Sequence, residues 1–484
     1  MTLIIRSKLS PEFWAKSGTP EDIQAAVDAA AAVGGGTVYI PEGEWTFNLD
    51  GDWMQPIGIG DELAAVIVPG GVNIIGAGIG KTILQITEIP PEPRRWMFYL
   101  DGGSDYKPSR VSGISFRGFA NGDYPDGWTK CCMRIRNMLD FRIDHCEFID
   151  FADYSICIGQ VWEGPKSRGV VDHCIFDMPS KETYYTSWGY AVSVTGSWDS
   201  YADFRDLLGK YEDIPTTIPV VYVEDCVARR CRYLVASNQG GWYVARHNNV
   251  SAMCGSNNPP AAFDVHEGGP DITGGLGGEF YGNYIEYDHH PKGWPEMIGI
   301  QLRAGSGVIY GNTFKDLRNA VQFFLMYDWC KDSEWNHPHH YYIWDNNLIN
   351  TPDIIRTNND EFFKENYHYF LRAPNLVDDG FEYTPYPYPH PLVTGILPYS
   401  TPWSGELEQG IYRITMPEQV KVGDDVYMFK QWEDGSTDPV RTINLIQDIT
   451  VIANYEKAPA PTTPLLLPLL LLIGGLIILG KRGG

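Results

Sequence analysis

The chain has 484 residues, with 37 Lys or Arg against 61 Asp or Glu, a formal net charge of −24. That balance, with no basic stripe, excludes nucleic acid as a partner, and an acidic polymer would have to be met by local cations, either Arg and Lys or Ca2+. Aromatic residues make up 13 % of the chain, including 15 Trp and 29 Tyr, which suits carbohydrate contact as well as core packing.

The first 14 residues, MTLIIRSKLSPEFW, contain no apolar run long enough for a secretory signal. A helix is predicted over about 19–33. Thr19 suits the N-cap, Pro20 the first helical position, and Glu21 and Asp22 the positive helix end. Ile23, Ala26, Val27 and Ala30 form its apolar stripe, Gly34 to Gly36 stop it, and residues 37–40 read as a strand. Beyond residue 35 helical periodicity nearly vanishes.

A short motif takes its place: a Cys or Asn followed two residues later by an apolar side chain and preceded by His, Asp, Gly or Asn. It reads DHCEF at 144–148, DHCIF at 172–176, EDCVA at 224–228, RHNNV at 246–250, YGNYI at 281–285, YGNTF at 310–314 and DNNLI at 345–349. Aligned on Cys146, Cys174, Cys226, Asn248, Asn283, Asn312 and Asn346, the intervals are 28, 52, 22, 35, 29 and 34 residues. A drifting period of this size marks a solenoid. The interval of 52 fits two turns or one turn with a long insertion.

Between the motifs lie short alternating runs such as YSICIG (154–159), YAVSVTG (190–196) and IGIQLR (298–303), punctuated by Gly, Asn, Asp and Pro. Stacked coils place equivalent residues about 4.8 Å apart, close enough for Asn side chains to form a ladder and for Cys to fill the same inward column. Nine cysteines without a C-x-x-C pair therefore read as buried thiols at Cys146, Cys174 and Cys226, with Cys131 or Cys132 left as candidates for a disulfide. His145, His173 and His247 belong to the repeated turn and read as structural.

The helix-then-strand segment, with VNIIGAGIGKTIL (72–84) and RVSGISFRGF (110–119), resembles the N-terminal cap and first coils of the pectate-lyase superfamily over residues 12–350. The resemblance implies an all-β chain built as a right-handed parallel β-helix with an N-terminal helical cap, a domain of residues 1–400. Proline-studded DGFEYTPYPYPHPL (379–392) cannot be a central strand and resembles the closing segment of such solenoids. The aspartate-rich calcium sites and R-x-P-x-x-R run of pectate lyases, and the paired aspartates of polygalacturonases, do not occur in this sequence, so the resemblance leaves the reaction open.

QWEDGSTDPVRTINLIQDITVIANYE (431–456) resembles the bacterial repeat domain, the divergent B-repeat of internalins. That implies a small β-sandwich-like module over 401–456, with Trp432 in its core and a turn at Asp434 and Gly435. A Pro-rich linker follows at 457–464, then an apolar stretch at 465–480 and a basic tail at 481–484. The expectation is a single-pass transmembrane anchor with its C-terminus inside and the solenoid on the extracellular face, the other reading being a hydrophobic end that packs on a partner.

Aligning VASNQGG (235–241), FDVHEGG (263–269) and IQLRAGS (300–306), with AVQFF (320–324) following, turns Val235, Ser237, Phe263, Val265, Ile300 and Leu302 inward. Asn238, Asp264, His266, Gln301, Arg303 and Gln322 then face outward on neighbouring coils, as a groove for an extended polysaccharide. Arg303, His266 and Asp264 are the catalytic candidates, the other reading being polar face residues that satisfy one another. In a uronide lyase a base removes the proton α to a carboxylate whose charge must be neutralised: Arg303 would neutralise it or act as base, and His266 would take or shuttle the proton. Ca2+ held by Glu267, Glu286 or Asp288 would serve the same end. A glycoside hydrolase would instead draw a carboxylate pair from Asp264, Glu267, Glu286 and Asp288. Asn238, Gln301, Gln322, Trp329, Trp335 and Tyr341 are the substrate-binding candidates, with Tyr327 and Tyr342 on the same aromatic loop and Trp198 and Tyr201 as possible groove walls. His289, His290, His337, His339 and His340 read as loop residues, as substrate contacts or as metal ligands. The leading function is a lyase on uronic-acid-containing glycans at the cell surface; a non-catalytic adhesin or glycan-binding protein and a glycoside hydrolase are the alternatives. Oligomeric state is not legible.

Overall fold

The computed structural model describes the chain except residues 1, 9–10, 48, 50–53, 88–93, 119–129, 152, 160–166, 180–188, 198–201, 216, 252, 254–259, 288–296, 395–396, 401–402, 409, 423–424, 458–475 and 482–484. It divides into two compact units, Glu12–Tyr386 and a second that combines Met1–Pro11 with Pro387–Gly484.

In the larger unit, strands from successive coils stack into three sheets of 12, 10 and 11 strands, parallel apart from one short antiparallel pair, Gln55–Pro56 with Leu63–Pro69. One coil runs through Trp242–Arg246 in the first sheet, Asn249–Ser251 in the second and Ala261–Val265 in the third. This is a parallel β-helix.

The repeated motif is the corner between the first and second sheets. The residue before each Cys or Asn sits in the left-handed region: His145, His173, Asp225, His247, Gly282, Gly311 and Asp345 have φ between 50° and 66°. Gly, Asp, Asn and His tolerate that conformation best, and this is why those letters recur there. Inside the corner the asparagines form a continuous ladder. Asn248 Nδ2 donates to Asn283 Oδ1 at 3.0 Å, Asn283 Nδ2 to Asn312 Oδ1 at 2.9 Å, and Asn312 Nδ2 to Asn346 Oδ1 at 3.0 Å. Cys226 joins it through its backbone N–H, 3.0 Å from Asn248 Oδ1. The interval of 52 is a single coil: Ile175 pairs directly with Val227, and the surplus is an insertion between Tyr190–Thr195 and Val220–Glu224. The eight described cysteines are buried and form no disulfide, Cys131 and Cys132 among them.

Helix α1 (Pro20–Ala32) forms where the sequence places it, with the Thr19 side chain accepting from the Asp22 N–H and Ile23, Ala26, Val27 and Ala30 buried. Gln24 bonds both the N–H (2.7 Å) and the C=O (3.2 Å) of Ile67, satisfying backbone at the outer end of the third sheet. Inside the helix of strands, aromatic rings repeat from coil to coil: Phe116 stacks on Phe148 at 5.2 Å, and Phe148 on Phe176 at 5.0 Å.

In the smaller unit a five-stranded and a four-stranded sheet share a core that includes Ile414, Trp432, Ile443, Leu445, Val451 and Ala453. Asp434 Oδ1 accepts from the Ser436 N–H at 2.9 Å, and Gly435 takes φ 87° in the turn. Strand Thr2–Lys8 joins this unit, parallel to Trp403–Glu408 and antiparallel to Ile449–Lys457, so the unit starts earlier and reaches further than a 401–456 module. The apolar tail departs from expectation. Leu476–Lys481 is a strand, antiparallel to Leu397–Ser400 and to Gly410–Thr415, and residues 465–475 lie outside the described residues. Among the described residues no helix is long and apolar enough to cross a membrane. An apolar run satisfies its backbone equally by pairing in a sheet, and composition alone did not distinguish the two.

Candidate functional site

The outward face of the third sheet carries the residues the alignment brought together. Asp264, Gln301 and Gln322 are register partners on successive coils. Asn238, His266 and Arg303 continue the next column: His266 N–H donates to Ser237 O and Arg303 N–H to Val265 O, both at 2.9 Å, so the ladder holds beyond the strand ends.

Two of the three catalytic candidates, Arg303 and Asp264, are engaged with each other. Arg303 grips Asp264 with two bonds, Nε to Oδ1 at 3.1 Å and Nη2 to Oδ2 at 2.5 Å, and its Nη1 lies 3.1 Å from Glu267 Oε2. Arg303 and Glu267 are each 4 % exposed and Asp264 is fully buried. Burial pulls the guanidinium pKa down, but Asp264 and Glu267 outweigh it and hold the group raised, a permanent cation. Arg303 is therefore no base, and Asp264 has no path to a substrate. The buried triad instead forms a rigid base under the next residue.

That residue is His266. Its side chain is 21 % exposed, and Nδ1 lies 2.7 Å from the Glu267 carbonyl oxygen. A carbonyl only accepts, so Nδ1 carries the hydrogen and Nε2 keeps its lone pair. Burial, reinforced by the neighbouring Arg303 charge, lowers the pKa below its ordinary value. His266 is a neutral imidazole of fixed tautomer at neutral pH, the form a general base requires.

Sequence reasoning passed over a row of tyrosines on the same face. Tyr154, Tyr190 and Tyr233 follow one another up the outward face, with ring centres 5.6 Å and 5.3 Å apart. Ala261 and Ile298 belong to the same cluster. Tyr233 reaches past them to donate to Gln301 Oε1 at 3.0 Å, and burial raises its pKa, so it stays a phenol. Arg232 lies over the Tyr190 and Tyr233 rings, 5.8 Å and 5.2 Å from their centres, and brings a second cation to the face. Part of the signal was present: Tyr154 and Tyr190 open the runs YSICIG and YAVSVTG, already recognised as strands, and Tyr233 stands two residues before the run aligned from Val235. Asn319, register partner of Ile298, was also passed over; among the described residues its buried side-chain N and O meet no hydrogen-bond partner, and neither does Oε1 of Gln322.

The remaining candidates scatter. Asn238 Oδ1 accepts from Gln239 N–H at 2.8 Å in a tight turn at the edge of the face. Trp329 packs partly on the core and stacks with Tyr327 at 5.8 Å. Tyr341 turns inward, with its hydroxyl on Ala304 O at 3.1 Å, and belongs to the core rather than to a substrate surface. Trp335 and Tyr342 line a separate cavity of about 540 Å³. Two of the Ca2+ candidates, Glu267 and Glu286, are not brought together. Glu267 is spent on Arg303, whereas Glu286 is on the second sheet, paired with Lys315. Asp288, His289, His290, Trp198 and Tyr201 lie outside the described residues. Among the described residues, no three His, Cys, Asp or Glu side chains gather to hold a metal ion. His337 and His339 are buried with Nδ1 atoms near the backbone carbonyl oxygens of Cys330 (3.0 Å) and His337 (3.2 Å).

No family model matches the chain. Over 75 residues, 15 % of its length, it is 40 % identical to alginate lyase 7 of Azotobacter vinelandii. Over 66 residues, 14 % of its length, it is 42 % identical to mannuronan C5-epimerase AlgE4 of the same organism. These matches span only 8 % and 10 % of the two relatives. Among solved structures it resembles the A-module of A. vinelandii mannuronan C-5 epimerase AlgE6, at 15 % identity over 73 % of this chain and 92 % of that one, TM-score 0.43. An alginate lyase from Paenibacillus sp. str. FPU-7 gives 11 % identity over 72 % and 99 %, TM-score 0.44.

Proposed function

We propose that the chain is a lyase that cleaves uronic-acid-containing polysaccharide by β-elimination, and that the reaction takes place on the outward face of the third sheet. The observation that carries this reading is His266, a neutral imidazole of fixed tautomer held by the Asp264, Arg303 and Glu267 cluster on the outward face that also carries Arg232. His266 Nε2 removes the proton from the carbon bearing the carboxylate, C5. The charge that develops on the carboxylate is met by Arg232. Electrons left at C5 form the C4–C5 double bond as the C4–O bond breaks, and the departing oxygen takes a proton from solvent. Asp264, Arg303 and Glu267 take no part in bond making; they fix His266.

A second reading shares the first step. If the C5 carbanion is reprotonated from its opposite face, the product is an epimer, and the short matches include proteins named for each outcome. Polymannuronate and pectate incubated with the protein separate the readings. Ultraviolet absorbance reports unsaturated ends, and deuterium uptake from D2O without cleavage reports epimerisation. The expected result is unsaturated product, reduced at least about 100-fold in His266→Ala, with the acid limb of the pH profile below the ordinary imidazole value of 6.5. New reducing ends without unsaturation would mean hydrolysis and would end this proposal.

A further inference from the structure

On the side of the β-helix carrying the first sheet, the 202–205 part of the long insertion, strand Tyr341–Trp344 and residues 366–381 enclose the cavity of about 540 Å³. Its size lies within the roughly 300–1,000 Å³ of small-molecule sites. We infer that this cavity is a second carbohydrate site, built for a neutral sugar ring and separate from the His266 face.

Its walls combine flat apolar surfaces with fixed polar pairs. Tyr342 and Phe370 stack at 4.6 Å, Phe381 meets Tyr342 edge-on at 5.6 Å, and Phe204 meets Phe381 edge-on at 5.7 Å. Such faces suit the C–H side of a pyranose. Asp379 is held rigidly: Arg372 Nη1 and Nη2 donate to it at 2.5 Å and 2.9 Å, the Tyr342 hydroxyl at 2.9 Å and the Asn375 N–H at 2.8 Å. Arg205 donates through Nε to Asp203 at 2.8 Å and has about half its side chain exposed. Paired guanidinium and carboxylate groups offer donors and acceptors in set directions, which is what sugar hydroxyls require.

Charge selects among sugars. The lining carries the carboxylates of Asp203, Asp378 and Asp379 against the guanidinium groups of Arg205 and Arg372. His339, also in the lining, has its pKa pushed down to about 4 by burial and adds no cation at neutral pH. An anionic uronate would enter a wall with no net positive charge and two cations already engaged, so a neutral hexose is the better fit.

Isothermal titration of the full-length protein with cellobiose, maltose, mannobiose and galactobiose, and with dimannuronate for comparison, tests this. At least one neutral disaccharide should saturate at millimolar concentration, with Arg205→Ala and Phe381→Ala each weakening it 10-fold or more and His266→Ala leaving it unchanged. Arg205→Ala removes an exposed side chain, so its melting temperature should match the parent and keep the loss interpretable. The proposal is overturned if none of the four saturates, if dimannuronate binds more tightly at this site, or if His266→Ala abolishes binding that Arg205→Ala leaves intact.

Discussion

Arg303 and His266 stand on the same outward column, but burial gives them opposite tasks. The guanidinium neutralises two buried carboxylates, and the imidazole keeps part of its edge exposed. Removing one partner of a buried ion pair leaves an uncompensated charge, a loss of about 3–5 kcal/mol. Arg303→Ala should therefore lower the melting temperature and abolish turnover together, because Asp264 and Glu267 lose their counter-ion and release His266. His266→Ala should abolish turnover with little change in melting. Calorimetric melts of the two variants beside their activities check this; an Arg303→Ala protein that melts like the parent would show that the cation is not structural. The sequence placed these residues on one face because strand alternation and the corner motif define register. It could not show which outward side chains lie beneath other parts of the protein, since neither polarity nor spacing distinguishes a covered arginine from an exposed one. Glu286 shows the complementary error: it lies 20 or so residues from Asp264 in sequence, yet beyond a corner and on a different sheet.

At the scale of the element, the corner is where sequence and structure correspond most directly. A left-handed residue followed by an inward amide is a demanding pair of requirements, met by few residue types, so the pattern survives drifting coil lengths. Asn283 donates to Ala245 O at 2.8 Å and to Asn312 Oδ1 at 2.9 Å, and it accepts from Asn248 N–H at 3.1 Å and Nδ2 at 3.0 Å. Replacing it with Ala leaves several buried polar groups unpaired, each worth about 1–3 kcal/mol. Asn346 ends the run and is only partly buried, accepting from one coil and donating to Ile309 O and Trp344 O at 3.0 Å. Urea unfolding should thus find Asn283→Ala destabilised by at least about 3 kcal/mol and Asn346→Ala by clearly less. Equal losses would mean that the interior of the ladder carries no more than its end. The apolar tail has no such signature: a run of Leu and Ile meets the needs of a buried strand and of a membrane helix alike.

Over the whole β-helix, neighbouring coils account for most contacts, and stability is close to a sum of stacked units. Glu279 is an exception that ties distant segments together. It is fully buried on the first sheet and accepts from the Gly209 N–H of the insertion at 2.7 Å and from the Tyr383 hydroxyl of the closing segment at 2.6 Å. Burial, the largest influence, pushes its pKa up to about 7, although both hydrogen bonds and Arg246 act against it. The folded protein then holds a proton that the unfolded chain releases near pH 4.5. The stability linked to that proton is fully present below pH 4.5 and is lost as pH rises through about 7, a total of about 3 kcal/mol. Glutamine can make both contacts without a charge, its carbonyl accepting from Gly209 and its amide donating to the tyrosine oxygen. Glu279→Gln should therefore match the parent in melting temperature at pH 5 and exceed it at pH 8, with the gap opening between those values. A constant difference across that range would show that Glu279 is not the group whose ionisation loosens the insertion and the closing segment from the coils beneath them.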